Sequence, residues 1–246
     1  DTPREGLVLN VAELRLYYYP KPKAGEPPVV KTFPVSIGRM DWKTPLGTTQ
    51  VVAKVKDPAW YPPASIKREH AERGDILPDV VPPGPDNPLG QHAMRLGIPG
   101  YLIHGTNRPS GIGMRVTHGC VRMYPEDIAS LFPEVPKGTR VTIVNQPMKS
   151  GWLADSLFVE YHDPLDEDNN AYKVSLDEAV AAVVNKAGPF AERIQPDAIA
   201  AVVARGSGMP VPVTLDRHTV PVDRRPSPMD DRRQSVELID LYSRPY

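Results

Sequence analysis

Leu7-Val8-Leu9-Asn10-Val11 and Leu14-Arg15-Leu16-Tyr17-Tyr18-Tyr19 are two apolar-alternating runs separated only by Ala12-Glu13. A strand turns successive side chains to opposite faces, so Leu7, Leu9 and Val11 share one face, and so do Leu14, Leu16 and Tyr18. The spacing predicts two strands joined by a tight turn. Residues 29–37 continue the meander, residues 47–55 add a strand, and 139–144 add another. Gly100-Tyr101-Leu102-Ile103 is a short apolar strand that ends on His104. Proline is the compositional outlier, at 30 of 246 residues, against a usual share of roughly 5%. It suits turns and sheet edges but not helix interiors, so the predicted class is mainly β with long, stiffened loops. The two densest, residues 57–63 and 78–88, are of a kind that forms lids or walls of a site.

Beyond about residue 148 the pattern changes. Ser175-Leu176-Asp177-Glu178 is a capping box before Ala179-Val180-Ala181-Ala182-Val183-Val184, with a stop at Gly188-Pro189. Residues 196–205 repeat the helical pattern, up to Gly206-Ser207-Gly208. A short helix with proline in its first turn is also predicted earlier, over 125–131. From Met209 on, prolines at 210, 212, 221, 226 and 228 predict an extended arm. The expected organisation is a β-rich catalytic unit over 1–148, a small helical subdomain over 149–208 and an extended arm over 209–246. The fold class is therefore mainly β, plus a small C-terminal helical and extended appendage.

A formal net charge of −1 gives no support for electrostatic capture of nucleic acid. Arg224-Arg225 and Arg232-Arg233 read as solvated tail charges. No run reaches the roughly 20 apolar residues that span a bilayer. Asp1-Thr2-Pro3-Arg4-Glu5 does not read as a signal peptide, so the chain is either cytosolic or has lost an export signal.

The one cysteine, Cys120, lies within Thr117-His118-Gly119-Cys120. It cannot form an internal disulfide, and its polar, glycine-rich setting is poor core material. A nucleophile is the better reading than a buried thiol, with His104 or His118 as its base and Gly119 letting backbone approach a substrate. A zinc site could draw on His104, His118 and Cys120, with His92 more distant, but no paired-cysteine or HxxxH spacing supports one. No metal and no cofactor is predicted.

Ile103-His104-Gly105-Thr106, followed by Thr117-His118-Gly119-Cys120-Val121-Arg122-Met123, resembles the signature of L,D-transpeptidases of the YkuD type, and most of all their ErfK/YbiS/YcfS branch. The resemblance extends to Gly38-Arg39, to Lys43-Thr44-Pro45-Leu46-Gly47-Thr48, to Trp60-Tyr61-Pro62-Pro63-Ala64-Ser65-Ile66, and to Pro82-Pro83-Gly84-Pro85-Asp86-Asn87-Pro88-Leu89-Gly90. It is close over residues 6 to about 148.

The resemblance implies a periplasmic enzyme acting on peptidoglycan stem peptides. Cys120 would attack the carbonyl of the third stem residue, diaminopimelate, release the terminal D-Ala and form a thioester. An amine then resolves it, giving a 3-3 cross-link or, with a lysine of an outer-membrane lipoprotein, anchoring the wall. By family position His104 is the base and the Gly105 carbonyl orients it, in place of the carboxylate of a Ser-His-Asp triad. Thr117, His118 and Gly119 would support the site and its oxyanion hole, whereas Arg122 would clamp a substrate carboxylate. Many family members carry Asn where Arg122 stands. Tyr101, Thr106, Asn107 and Arg115 are lining candidates, and Trp42 and Trp60 read as loop anchors. The alternatives are hydrolysis (an L,D-carboxypeptidase or a lipoprotein-releasing amidase) and an inert wall-binding module.

Overall fold

A computed structural model describes residues 2–39, 41–164 and 173–215. The opening hairpin is β1 (Gly6–Asn10) and β2 (Arg15–Tyr19), followed by β3 (Lys31–Gly38) and β4 (Gly47–Lys56). Helix α1 (Ala64–Glu72) comes next, and then β5 (His92–Leu96), β6 (Leu102–His104), β7 (Arg115–Thr117) and β8 (Val121–Met123). Helix α2 (Pro125–Leu131) and β9 (Arg140–Val144) complete the first unit.

The strand order is β2-β1-β9-β4-β5-β6-β8-β3-β7, and β2 also pairs with β3. That extra pairing closes eight strands into a ring, with β7 outside it on β3. Closure depends on two strands that change partner along their length. In β3, residues 31–34 pair with β2, whereas Val35 and Ser36 pair with β8. In β4, residues 47–50 pair with β9, and from Val51 the strand pairs with β5 through a register shift between Val51 and Ala53. A bulge bends a strand and sharpens its twist, which turns the corner from one sheet into the other. Between the two faces lies a core of Leu7, Leu9, Leu16, Val35, Ile37, Met94, Ile103, Val121, Met123 and Ile143. Leu7, Leu9, Val11, Leu16 and Tyr18 of the opening hairpin are buried as the spacing predicts. Val8 and Asn10 are buried as well, so β1 is covered on both faces. Leu14 is a half-buried turn residue with φ 53° rather than a strand position.

The region expected to be helical needs correction. Strands β10 (Met148–Leu153) and β11 (Ser156–Tyr161) form a hairpin, and β12 (Val211–Pro212) adds to β11. Helices α3 (Leu176–Ala187) and α4 (Pro196–Arg205) pack with this sheet around Leu157, Val159, Tyr161, Val183, Ile199 and Val213. The appendage is therefore α+β. The capping box is present, with the Ser175 side chain accepting from the Glu178 N–H and the Glu178 carboxylate accepting from the Ser175 N–H. Of the predicted arm, residues 209–215 lie against this unit, and residues 216–246 lie outside the described residues. Among the described residues no helix is long and apolar enough to cross a membrane.

Candidate active site

Strands β6 and β8 run parallel side by side, with Ile103 opposite Val121 and His104 opposite Arg122. Ile103 and Val121 are buried in the core. Strand alternation therefore sends His104 and Arg122 to the other face, and Cys120 sits in the turn just ahead of β8, two residues before Arg122. Arg122 lies close enough to act on the charge of both His104 and Cys120.

His104 is only 5% exposed. Its Nδ1 lies 2.6 Å from the Gly105 carbonyl oxygen. A carbonyl can only accept, so Nδ1 carries the hydrogen and Nε2 keeps a free lone pair. Burial, and then the nearby charge of Arg122, pull the imidazole down to about 4, against the opposing pull of the Gly105 and Leu89 carbonyls. Cys120 is half-buried, with Sγ 3.6 Å from the Gly100 carbonyl oxygen. Burial pushes its thiol up, and the Leu102 backbone and Arg122 work the other way. Burial and the charge of Arg108 both act to lower Arg122, whose Nε is buried without a hydrogen-bond partner.

The turn before the thiol is tightly held. Thr117 Oγ1 donates to the Cys120 carbonyl at 2.6 Å and accepts the Gly119 N–H at 3.2 Å. Thr44 Oγ1 donates to the Gly119 carbonyl at 2.8 Å and accepts the Gly38 N–H at 3.0 Å. Gly119 has φ +101°, and a Cβ there would lie 2.6 Å from Cε1 of Tyr101. Both conformation and space demand glycine. Its own N–H is already engaged, so it is not a spare oxyanion donor in this arrangement.

These distances sit on a sequence that matches a known family. Residues 4–143 match the family model YkuD, described as the L,D-transpeptidase catalytic domain. The chain belongs to this family. The probable L,D-transpeptidase YcfS of Escherichia coli strain K12 is 43% identical over 229 residues, covering 89% of this chain and 68% of that protein. The probable L,D-transpeptidase ErfK/SrfK of the same strain is 40% identical over 222 residues, covering 87% and 68%. Among solved structures, the catalytic domain of an Enterococcus faecium L,D-transpeptidase aligns with TM-score 0.42 at 20% identity, over 58% of this chain and 100% of that one.

Within this L,D-transpeptidase domain the remaining predicted residues each have their own partners. Tyr101 packs on Gly119 and donates from its hydroxyl to the Lys43 carbonyl at 3.4 Å, which places it at the turn before Cys120. Arg115 lies on β7 opposite Ile37. Thr106 is buried, and its Oγ1 accepts the Arg108 N–H at 2.9 Å, so its hydroxyl shapes the loop. Asn107 is exposed and donates from Nδ2 to the Asp86 carbonyl at 3.0 Å. His118 turns toward α1, with Nε2 2.8 Å from Glu69 Oε2 and its ring edge-on to Trp42 at 5.3 Å. Among the described residues no three His, Cys, Asp or Glu side chains gather as a metal site.

Sequence reasoning missed three contributors. Thr44 and Asn87 stand inside segments that carry the family resemblance, so a signal existed. Asn87 is fully buried and donates from Nδ2 to the carbonyls of Pro58, Val81 and Pro82, while its Oδ1 accepts the Leu89 N–H. It ties the two proline-dense loops together beside His104. Glu69 had no signal, because the helix carrying it was not predicted.

Proposed function

We propose that the protein is a peptidoglycan L,D-transpeptidase that works through Cys120. The thiol loses its proton to Nε2 of His104 as Sγ attacks the acyl carbon of diaminopimelate, the third residue of a tetrapeptide stem. The tetrahedral intermediate collapses, D-Ala leaves as an amine taking up that proton, and a thioester remains. A second amine, from another stem or from a lipoprotein lysine, attacks the thioester and releases Sγ. The observation that carries this reading is the 2.6 Å contact between His104 Nδ1 and the Gly105 carbonyl, which assigns the hydrogen to Nδ1 and leaves Nε2 as the nitrogen that can accept a proton.

Arg122 suits the clamp for a substrate carboxylate, because its Nε is desolvated and lacks a partner. The Cys120 N–H serves the oxyanion in our proposal, with Thr117 and Gly119 fixing its direction. Tyr101, Arg115, Thr106 and Asn107 would shape the walls. Residues 1–148 would act as the catalytic unit, with 149–208 and 209–246 as appended segments. The compartment is the periplasm, where a single cysteine has no second thiol to pair with.

Incubation with disaccharide-tetrapeptide, with and without a lipoprotein C-terminal peptide, tests the reading by mass spectrometry. A cross-linked dimer or a lipopeptide conjugate supports it, and identifies the acceptor. Tripeptide alone would make the enzyme a hydrolase. Wild type and Cys120→Ala giving the same products would overturn the proposal.

A further inference from the structure

The turn that carries the thiol is tethered by a carboxylate to which the mechanism assigns no role. Glu69 projects from α1 onto the segment after β3 and onto residue 118. Its Oε2 accepts from Arg39 Nη2 at 2.6 Å and from His118 Nε2 at 2.8 Å, and its Oε1 lies 2.7 Å from Arg73 Nη2. A carboxylate has only acceptors, so Nε2 of His118 bears the hydrogen. Arg39 in turn donates its backbone N–H to the Thr117 carbonyl at 3.0 Å. One side chain thus joins α1, the end of β3 and the two residues before Gly119 and Cys120. Glu69 and His118 are 15% and 23% exposed, so water screens the pair only in part.

We infer that Glu69 is a positioning residue for acyl transfer. Acting through His118, it helps fix the peptide plane between Gly119 and Cys120, so that Sγ faces the acyl carbon while the Cys120 N–H faces the carbonyl oxygen. The inference rests on Cys120 being the nucleophile and goes beyond it, because nothing in that reading requires an acid on α1.

Two reagents separate aim from reactivity. Imipenem must acylate Cys120 through a tetrahedral intermediate, whereas iodoacetamide needs only a reachable thiolate. Glu69→Ala should slow imipenem acylation on the order of 100-fold, the scale of a misplaced reacting group. Its alkylation rate should stay within about twofold of wild type, since thiolate supply is unchanged. Glu69→Gln, which keeps an acceptor for His118 but not the charge for Arg39 and Arg73, should fall between. Wild-type acylation rates in Glu69→Ala would overturn the inference, and so would equal loss of both reactions, which marks damage to the fold. A wild-type chain that alkylates but never acylates at Cys120 would sink the nucleophile reading, and this inference with it.

Discussion

Arg122 lowers two neighbouring groups at once, the imidazole of His104 and the thiol of Cys120. For the imidazole this adds to burial, and the ring stays neutral down to about pH 4. For the thiol it opposes burial, which still wins and keeps it protonated at neutrality. The resting state is therefore neutral imidazole and thiol, so in the proposed reaction the proton would move only as the bond forms. Two limbs follow in the rate of Cys120 acylation by imipenem. Below about pH 4 the ring is protonated and cannot accept, so the acid limb lies near 4 rather than near a free histidine's ~6.5. The alkaline limb rises as the thiol ionises, above the ordinary ~8.5 of cysteine. Arg122→Gln removes a cation that disfavours imidazolium and favours thiolate, so both midpoints should move up. Acylation and iodoacetamide alkylation, followed by intact mass across pH, read them separately. A thiol midpoint that falls in the variant would contradict the assigned proximity.

At the level of elements, the walls of the site depend on one amide. Asn87 holds residues 57–63 to residues 78–88, and its bond to the Leu89 N–H steadies the segment whose carbonyl faces His104. Asn87→Leu leaves the Pro58 and Pro82 carbonyls and the Leu89 N–H without their partner in a partly buried place, while Val81 keeps the Trp60 N–H, at a cost of about 3 kcal/mol. Urea denaturation should show that loss, and hydrogen exchange should show it concentrated in residues 57–91; unchanged exchange there would rule out the clasp. The proline loops themselves were legible because proline marks stiff loops from composition alone. Helix α1 between them was not: it buries only Ile66 and has no side-chain cap, so it lacks both apolar period and start signal. Strands β7 and β8, three residues each, are too short to show alternation, and β5 also went unpredicted. Cys120, His104 and Gly105 could be named from their motif, whereas Glu69 became visible only when the fold brought α1 to His118.

Across the whole molecule, the two cores are joined by a partly buried polar knot. Asn10 and Gln146 exchange two hydrogen bonds, at 2.8 and 2.9 Å. Lys149 of β10 reaches Glu13 at 3.0 Å and Tyr17 Oη at 2.9 Å on the opening hairpin, and Glu160 of β11 at 3.3 Å. Tyr17 also donates to Glu13, whose side chain is 1% exposed. Burial, and then the bond to Glu13, push the Tyr17 phenol up to about 12. Burial works against the Lys149 ammonium, but Tyr17 and Glu13 outweigh it and raise its affinity for the proton. Both shifts have the same sign. The folded chain keeps protons that the unfolded chain has released, so the stabilisation is complete below pH 10 and is lost as pH rises toward 12. For Tyr17 alone, two pH units at 1.36 kcal/mol each, discounted for the water that reaches this seam, predict a loss of about 1–2 kcal/mol over that window. Tyr17→Phe removes one of the two titrating groups, so its free energy of unfolding should fall less steeply between pH 10 and 12, although it starts lower at pH 8. Parallel curves for wild type and variant would show that the knot does not hold the appendage to the catalytic unit in the protonated form described.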